Sequence, residues 1–431
     1  MSNVTIPLLG LCDTAISGHL GSELFLAAIA VGSVMLNVVF WIFGFLRMGT
    51  TGLTATSLGA NDANEVRRVF SRAFFIGVSA GILLIVFRYP IMEGLLKICG
   101  SNSEIRESVE EYFLIRIWGA PALLATMVVT GWFVGMQSTV YPLIISVGMN
   151  IANIALSFIL VFYSDMGFIG VAAGTLISNW FGLLLSIACM IWFLKKTKIF
   201  STLREIFNPD GLKKFFSVNS NLFIRSLCII CVTMGVTAAS GRLGPLTLAV
   251  NVIVMQFFQF FSFFMDGFAF SGEALIGLYA GERNPERLRL SYRALLMWTL
   301  GIGVIFTFIY LFFNGNITSL LTDSTIVREG VRKIEIFIIM IPLVSAWAFI
   351  YDGFYVGLTD TRLMMFSTLI ASIFFFIISF LSVEEGEVFI NVSNNDMIWT
   401  GFLVYLGIRG VVLASAWKGR LKRRLRMEFN L

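Results

Sequence analysis

The sequence predicts an all-α integral membrane protein with twelve transmembrane helices in two six-helix bundles, related by a pseudo-twofold axis along the membrane normal. Three observations lead there. Of 431 residues, 57% are hydrophobic and 13% charged, against about 25% charged in a soluble domain. The apolar residues gather into runs that can cross a bilayer, which takes ~20 residues per helix. The second half also repeats the first: GWFVGMQST (Gly131 to Thr139) and GFYVGLTDT (Gly353 to Thr361) match in Gly, Val, Gly and Thr, half a chain length apart.

Taken in order, the apolar runs begin near Val4, Leu24, Phe74, Tyr112, Val140, Ile169, Phe215, Leu246, Ala294, Ile334, Leu363 and Met397. Charged or Gly-, Asn- and Pro-rich breaks separate them. Within each run the backbone must satisfy its own hydrogen bonds, so each is read as a helix. The first is the weakest, because SGHLGSE interrupts it early. Lys and Arg concentrate after spans two, six, eight and twelve: Arg67, Arg68 and Arg72; Lys195 to Lys214; Arg283 to Arg293; Lys418 to Arg426. The alternate loops are poor in basic residues, and SVEEGEVFINVSNND is acidic. The positive-inside rule then places both termini of this multi-pass membrane protein in the cytoplasm. The expected division is a first lobe of residues 1–198, a basic linker of 199–214, a second lobe of 215–419 and a basic tail of 420–431. The opening residues lack the basic n-region of a cleaved signal peptide.

The repeat runs the length of the chain. TAISGHLG (Thr14 to Gly21) resembles TAASGRLG (Thr237 to Gly244), and Pro121 has a counterpart in Pro342. Glycines that let helices pack closely would explain each motif alone. They do not explain why all the matches share one nearly constant offset along the chain. Six spans per half make both halves enter the membrane from the same side. Such duplication places a site between two similar bundles that can rock against each other. Transporters are built this way, and some channels and scaffolds are duplicated too.

Several classes are excluded. The net charge of +5 lies in short loops between apolar runs, which does not suit a nucleic-acid partner. Cys12, Cys99, Cys189, Cys228 and Cys231 lie mostly inside apolar runs, against a disulfide framework. Cys228 and Cys231 form a CxxC in mid-span, where a plain apolar helix is the better reading than a redox or metal motif. His19 is the only histidine, which removes His-based metal clusters and Ser-His-Asp triads. No enzyme chemistry, cofactor or metal is therefore expected.

An ionisable side chain deep in a span costs ~2.5–3.5 kcal/mol on insertion scales, so each needs a partner, water or a role. Asp13 lies six residues after Pro7, a residue that loosens the first helix and allows bending. In such a half-dry cavity the carboxyl suits a proton carrier; the alternative is a solvated acid at a frayed helix end. Asn150, Asn153 and Ser157 fall at i, i+3 and i+7 and form one polar stripe. That stripe either holds helices together or lines a route for substrate or protons. The second half carries Arg225, Asp266, Glu273, Asp352 and Arg409 inside spans. Asp266 and Glu273 share a helical face. Buried ion pairs are the simplest reading of these charges, and a Na⁺ site with oxygen ligands is the other.

The phrases IPLLGLCDTAISGHLG, IWGAPALLATMVVTGWFVGMQ, MDGFAFSGEALIGLYAG and YDGFYVGLTDTR resemble the multidrug and toxic compound extrusion family, in its DinF-like branch. The resemblance covers nearly the whole chain. It implies two six-helix lobes arranged as a V and cation-coupled antiport of amphipathic, often cationic compounds out of the cytoplasm. It also implies that Asp13 takes the coupling proton and that Asn153 and Thr175 line the same cavity. Two departures stand out. Ser157 occupies the place of an aspartate in the family pattern, which leaves Asp13 to act alone. The family also begins some twenty residues earlier.

The expected function is export of amphipathic compounds by alternating access, coupled to H⁺, from a monomer in the lipid bilayer. The alternatives are Na⁺-coupled efflux and a flippase of lipid-linked precursors. A flippase calls for more Arg and Lys than the first-half spans offer, where Arg47 and Arg116 are the exceptions.

Overall fold

The computed structural model describes residues 23–99, 103–164, 166–194, 203–206, 208–381 and 394–429. Every regular element among them is helical, and eleven stretches are long and apolar enough to cross a membrane. Pro7, Asp13 and the rest of the expected first span lie outside the described residues. The chain divides into two compact units, Met1–Asn219 and Ser220–Leu431.

The first unit contains α1 (Glu23–Ile42), α2 (Gly44–Gly59), α3 (Ala63–Val86), α4 (Arg88–Cys99), α5 (Ser103–Arg116), α6 (Ala120–Gly135), α7 (Val140–Phe162) and α8 (Gly167–Leu194). A 3₁₀ turn, Ile117–Gly119, joins α5 to α6. Pro121 accounts for it, because a proline cannot donate to the carbonyl four residues back. Helix α9 (Pro209–Arg242) follows, then α10 (Pro245–Gly281), α11 (Pro285–Leu321), α12 (Thr325–Lys333), α13 (Glu335–Gly357), α14 (Thr361–Leu381) and α15 (Asn394–Phe429). Large apolar side chains such as Trp192, Trp298, Phe312 and Val411 stand exposed on the outer faces, as lipid-facing helices require.

Several helices begin well before their apolar runs. Helix α3 starts eleven residues before Phe74 and α11 nine before Ala294. Side-chain caps carry them into the polar loops: Asp62 accepts from the Glu65 N–H at 2.9 Å, and Asn284 accepts from the Arg287 N–H at 3.0 Å. Hydropathy marks the lipid-crossing part of a helix, whereas the cap marks its end.

The repeat is also visible in the backbone. Asn61 and Arg283, and likewise Gln137 and Thr359, take the left-handed conformation with φ between 55° and 62°. Both pairs are separated by the same offset as Gly131 and Gly353. In both units the following amide reaches back to the last helical turn: Asp62 to Ser57 and Asn284 to Tyr279, Ser138 to Phe133 and Asp360 to Tyr355. These are Schellman closures, made in register by non-glycine residues. The glycine of the repeated motif has the same use in each unit. A Cβ on Gly131 would lie 2.5 Å from the Arg47 carbonyl oxygen, and one on Gly353 would lie 2.4 Å from that of Ala269. The glycines let α6 meet α2 and α13 meet α10 backbone to backbone.

The units also differ for a local reason. Helix α3 stops at Val86 and α4 starts at Arg88, whereas the equivalent α11 runs unbroken. Pro90 lies four residues after Val86 and withholds its hydrogen bond; its counterpart is Phe312. Ahead of α9, the turn Leu203–Ile206 is fixed by Arg72 of α3. That side chain is 2% exposed and donates to Ile206 O at 3.1 Å, Glu205 O at 3.3 Å and Glu65 at 2.8 Å.

Candidate functional site

In the first unit, α7 and α8 run antiparallel in close contact. Small residues on α8 permit it: a Cβ on Gly174 would lie 2.6 Å from Ser157 Oγ and 2.7 Å from its backbone nitrogen, and one on Gly182 would lie 2.6 Å from Met149 Sδ. Into this seam the stripe on α7 projects Asn150, Asn153 and Ser157, all buried. Asn153 is 1% exposed and its Nδ2 donates to Thr175 Oγ1 at 2.9 Å and Ser178 Oγ at 3.3 Å. Those hydroxyls donate in turn to Val171 O and Thr175 O on their own helix. The amide is thereby oriented by its nitrogen. Its Oδ1 is buried without a partner, and so is Ser157 Oγ.

Buried polar atoms are ordinarily hydrogen-bonded, and one left open loses about 1–3 kcal/mol. Two such atoms, the acceptor Asn153 Oδ1 and the hydroxyl Ser157 Oγ, lie about one turn apart on α7. An amide oxygen accepts from a protonated carboxyl, an ammonium or water; it offers nothing to a carboxylate. The structure brings together Asn153, Thr175 and, across from Gly174, Ser157. Asp13 and Pro7 lie outside the described residues. Ser178 is the member that the sequence did not single out; its signal is the i+3 spacing from Thr175 on α8.

In the second unit, the charges converge. Asp352 Oδ2 of α13 accepts from Arg225 Nη2 of α9 and, at 2.5 Å, from Arg409 Nη2 of α15. Arg409 also donates to Tyr405 OH at 3.2 Å and stacks over that ring. All three charged residues are buried. Asp352 Oδ1 has no hydrogen-bond partner. Glu273 is fully buried on α10, where its carbonyl packs against Gly357, and Asp266 is half-buried two turns earlier. A separate knot ties three helices: Asn251 of α10 donates to Ser240 Oγ and Asn395 Oδ1, both at 2.7 Å, and accepts from Trp399 Nε1 at 2.8 Å. Cys228 and Cys231 are free thiols on α9. Among the described residues no three His, Cys, Asp or Glu converge as metal ligands.

The family model described as MatE matches residues 1–159 and 222–381. The chain is 31% identical over 417 residues to the DNA damage-inducible protein F of Escherichia coli (strain K12), covering 97% of this chain and 89% of that one. It is 23% identical to the probable multidrug resistance protein NorM of Acinetobacter baylyi, covering 94% and 90%. Among solved structures, a MATE in the straight conformation matches with a TM-score of 0.85 at 18% identity, covering 98% of this chain and 94% of that one. A MATE in the bent conformation matches with the same TM-score and identity, covering 99% and 94%.

Proposed function

Because the chain belongs to the MatE family of multidrug and toxin efflux transporters, we propose that it is an H⁺-coupled antiporter of the inner membrane that exports amphipathic, often cationic compounds by alternating access. The observation that carries this reading is the Asn153 cluster of the first unit, with its amide fixed through Nδ2 and its Oδ1 buried and unpaired.

A fixed amide oxygen distinguishes the two protonation states of a carboxyl. It accepts from the acid form and repels the anion, so a carboxyl presented to it is held when protonated and released when not. Asp13 is the residue the sequence offers for that part. Protonation then favours one arrangement of the first unit by the strength of this contact, and a ligand shifts such an equilibrium only by its differential affinity. A cationic amphiphile uses the ionised acid as its counter-charge and loses it when the proton arrives. Two guanidinium groups already bond Asp352 in the second unit, which supports placing coupling in the first. Both termini in the cytoplasm and a monomeric state complete the reading.

The test is dye transport by the full-length chain in proteoliposomes, with ΔpH and ΔNa⁺ imposed separately. ΔpH drives uptake and ΔNa⁺ does not. Asp13→Asn abolishes the response, and Asn153→Leu weakens it about tenfold, the equivalent of one hydrogen bond to a charged or polar group. Undiminished ΔpH-driven transport by Asp13→Asn removes that residue from the mechanism, and a response to ΔNa⁺ alone replaces the coupling ion.

A further inference from the structure

Arg116 ends α5 inside a membrane-crossing stretch, and no carboxylate among the described residues pairs with it. Its surroundings are specific. Nη1 donates to Tyr112 OH at 2.9 Å, and the guanidinium lies over the Tyr112 ring, 5.4 Å from its centroid. Tyr112 is itself fixed: it is fully buried, its ring rests on Gly32 of α1, where a Cβ would come within 2.5 Å, and its hydroxyl shares a hydrogen bond of 3.0 Å with Ser33 Oγ. Arg116 Nε is buried and has no partner. The nearby acids are accounted for: Glu93 of α4 and Glu110 of α5 both bond Arg106, and Glu111 points outward as an exposed residue. Helix α1 brings Ser33 to this point.

An arginine stays charged at any pH the protein meets. Its Nε–Nη2 edge is the fork that matches two oxygens of a carboxylate or phosphate; here Nε on that edge is without a partner while Nη1 holds the group in place. The level in the membrane fits an amphiphile. Arg116 lies five residues past Glu111, about 7–8 Å along the helix axis. Two residues further on, exposed Trp118 lies under Arg88, 5.8 Å away, which also covers exposed Tyr89 at 4.6 Å. Such aromatic and arginine groupings mark the membrane–water boundary.

The geometry points to Arg116, oriented by Tyr112 and Ser33, as a binding site for the anionic oxygen head of an amphiphile, the phosphate of a phospholipid or the carboxylate of a cargo molecule. This site uses α1 and α5 and is independent of the Asn153 cluster on α7 and α8.

The test uses the full-length chain in uncharged maltoside micelles, titrated with dodecyl phosphate and with dodecanoate, with binding followed by native mass spectrometry. Both bind the unmodified chain. Arg116→Gln weakens binding about tenfold or more, the loss of a charge-assisted pair. Arg116→Lys, which keeps the charge and loses the fork, weakens it several-fold, and so does Tyr112→Phe. Equal affinity in the unmodified chain and Arg116→Gln overturns the proposal. Should Arg116→Gln fail to purify as a monodisperse protein, unchanged affinity in both Arg116→Lys and Tyr112→Phe overturns it instead. Two further arms identify the source of the head group. Loss of retained phosphatidylglycerol in Arg116→Gln assigns the site to lipid, and selective loss of efflux of an anionic dye, with a cationic dye unaffected, assigns it to cargo. Retention and both effluxes unchanged in Arg116→Gln also refute the assignment.

Discussion

Adding one methyl group at Gly131 or Gly353 tests the shared frame of the two units. Built onto these positions, the Cβ lies 2.5 Å from the Arg47 carbonyl oxygen and 2.4 Å from the Ala269 carbonyl oxygen, where ordinary contact begins at 3.4 Å. The helices must therefore part by about 0.9–1 Å, and backbone faces backbone, so no rotamer change relieves the clash. Overpacking of this kind costs ~1–3 kcal/mol, and a contact without a yielding side chain belongs at the upper end. Alanine gains ~1 kcal/mol over glycine in helix propensity, which leaves Gly131→Ala and Gly353→Ala each destabilised by about 2 kcal/mol. Gly94 and Gly301 supply the controls, one in each unit. A Cβ at either meets nothing within 4 Å, so Gly94→Ala and Gly301→Ala gain up to ~1 kcal/mol. Unfolding by SDS titration in mixed micelles, read by tryptophan fluorescence, should separate each pair by about 3 kcal/mol. Equal stability of Gly353→Ala and Gly301→Ala, or of Gly131→Ala and Gly94→Ala, refutes the claim that these glycines set the helix spacing.

Three other outcomes follow from the same structure. Asp352→Asn removes the carboxylate that two buried guanidinium groups share and lowers stability by ~3–5 kcal/mol in the same titration. Arg72→Lys cannot reach the two linker carbonyls and Glu65 together. It frees the segment ahead of α9, and limited trypsin digestion at Lys213 and Lys214 speeds up about tenfold, the equivalent of one lost charged hydrogen bond. Thr359→Gly relieves a β-branched residue held at φ 56°; the relief of ~1–2 kcal/mol exceeds the extra chain entropy of glycine, ~0.5–1 kcal/mol, so the variant unfolds at higher SDS.

The spans and their duplication were legible because both are written into every residue of a run, one as hydropathy and the other as a constant offset. Helix ends were less so, since Asp62 and Asn284 act through one hydrogen bond each and leave no trace in average polarity. The polar stripe of α7 showed in its own spacing, whereas Ser178 acquires meaning only once α8 lies opposite. Charges inside spans announce that partners exist without naming them: Arg225 and Asp352 are 127 residues apart, and Arg409 lies 57 residues beyond. Arg72 stands beside Arg67 and Arg68 in the sequence and reads as one more basic loop residue. Its burial under the turn Leu203–Ile206 depends on a contact over 130 positions away. The knot around Asn251 is hidden for the same reason, because its four residues come from three helices.

The common frame explains why, among the described residues, the buried carboxylates lie in the second unit. At the positions equivalent to Glu273 and Asp352 under the repeat, the first unit carries Thr51 and Thr130. A threonine hydroxyl in a helix satisfies itself: Thr51 donates to Arg47 O and Gly131 O, and Thr130 donates to the carbonyls of Thr126 and Met127. A carboxylate has no proton to give back and can only accept. Asp352, at the place equivalent to Thr130, cannot be satisfied in that way by its own helix backbone, and its cations come from other helices. They come as Arg225 and Arg409, whose counterparts in the first unit are Asn3 and Ile187. The acid and its two arginines therefore stand or fall together, in a frame whose glycines and left-handed turns are common to both halves. The seam between α7 and α8 is instead built from neutral amides and hydroxyls, Asn153, Thr175 and Ser178, which bond one another and the backbone and, among the described residues, need no counter-ion.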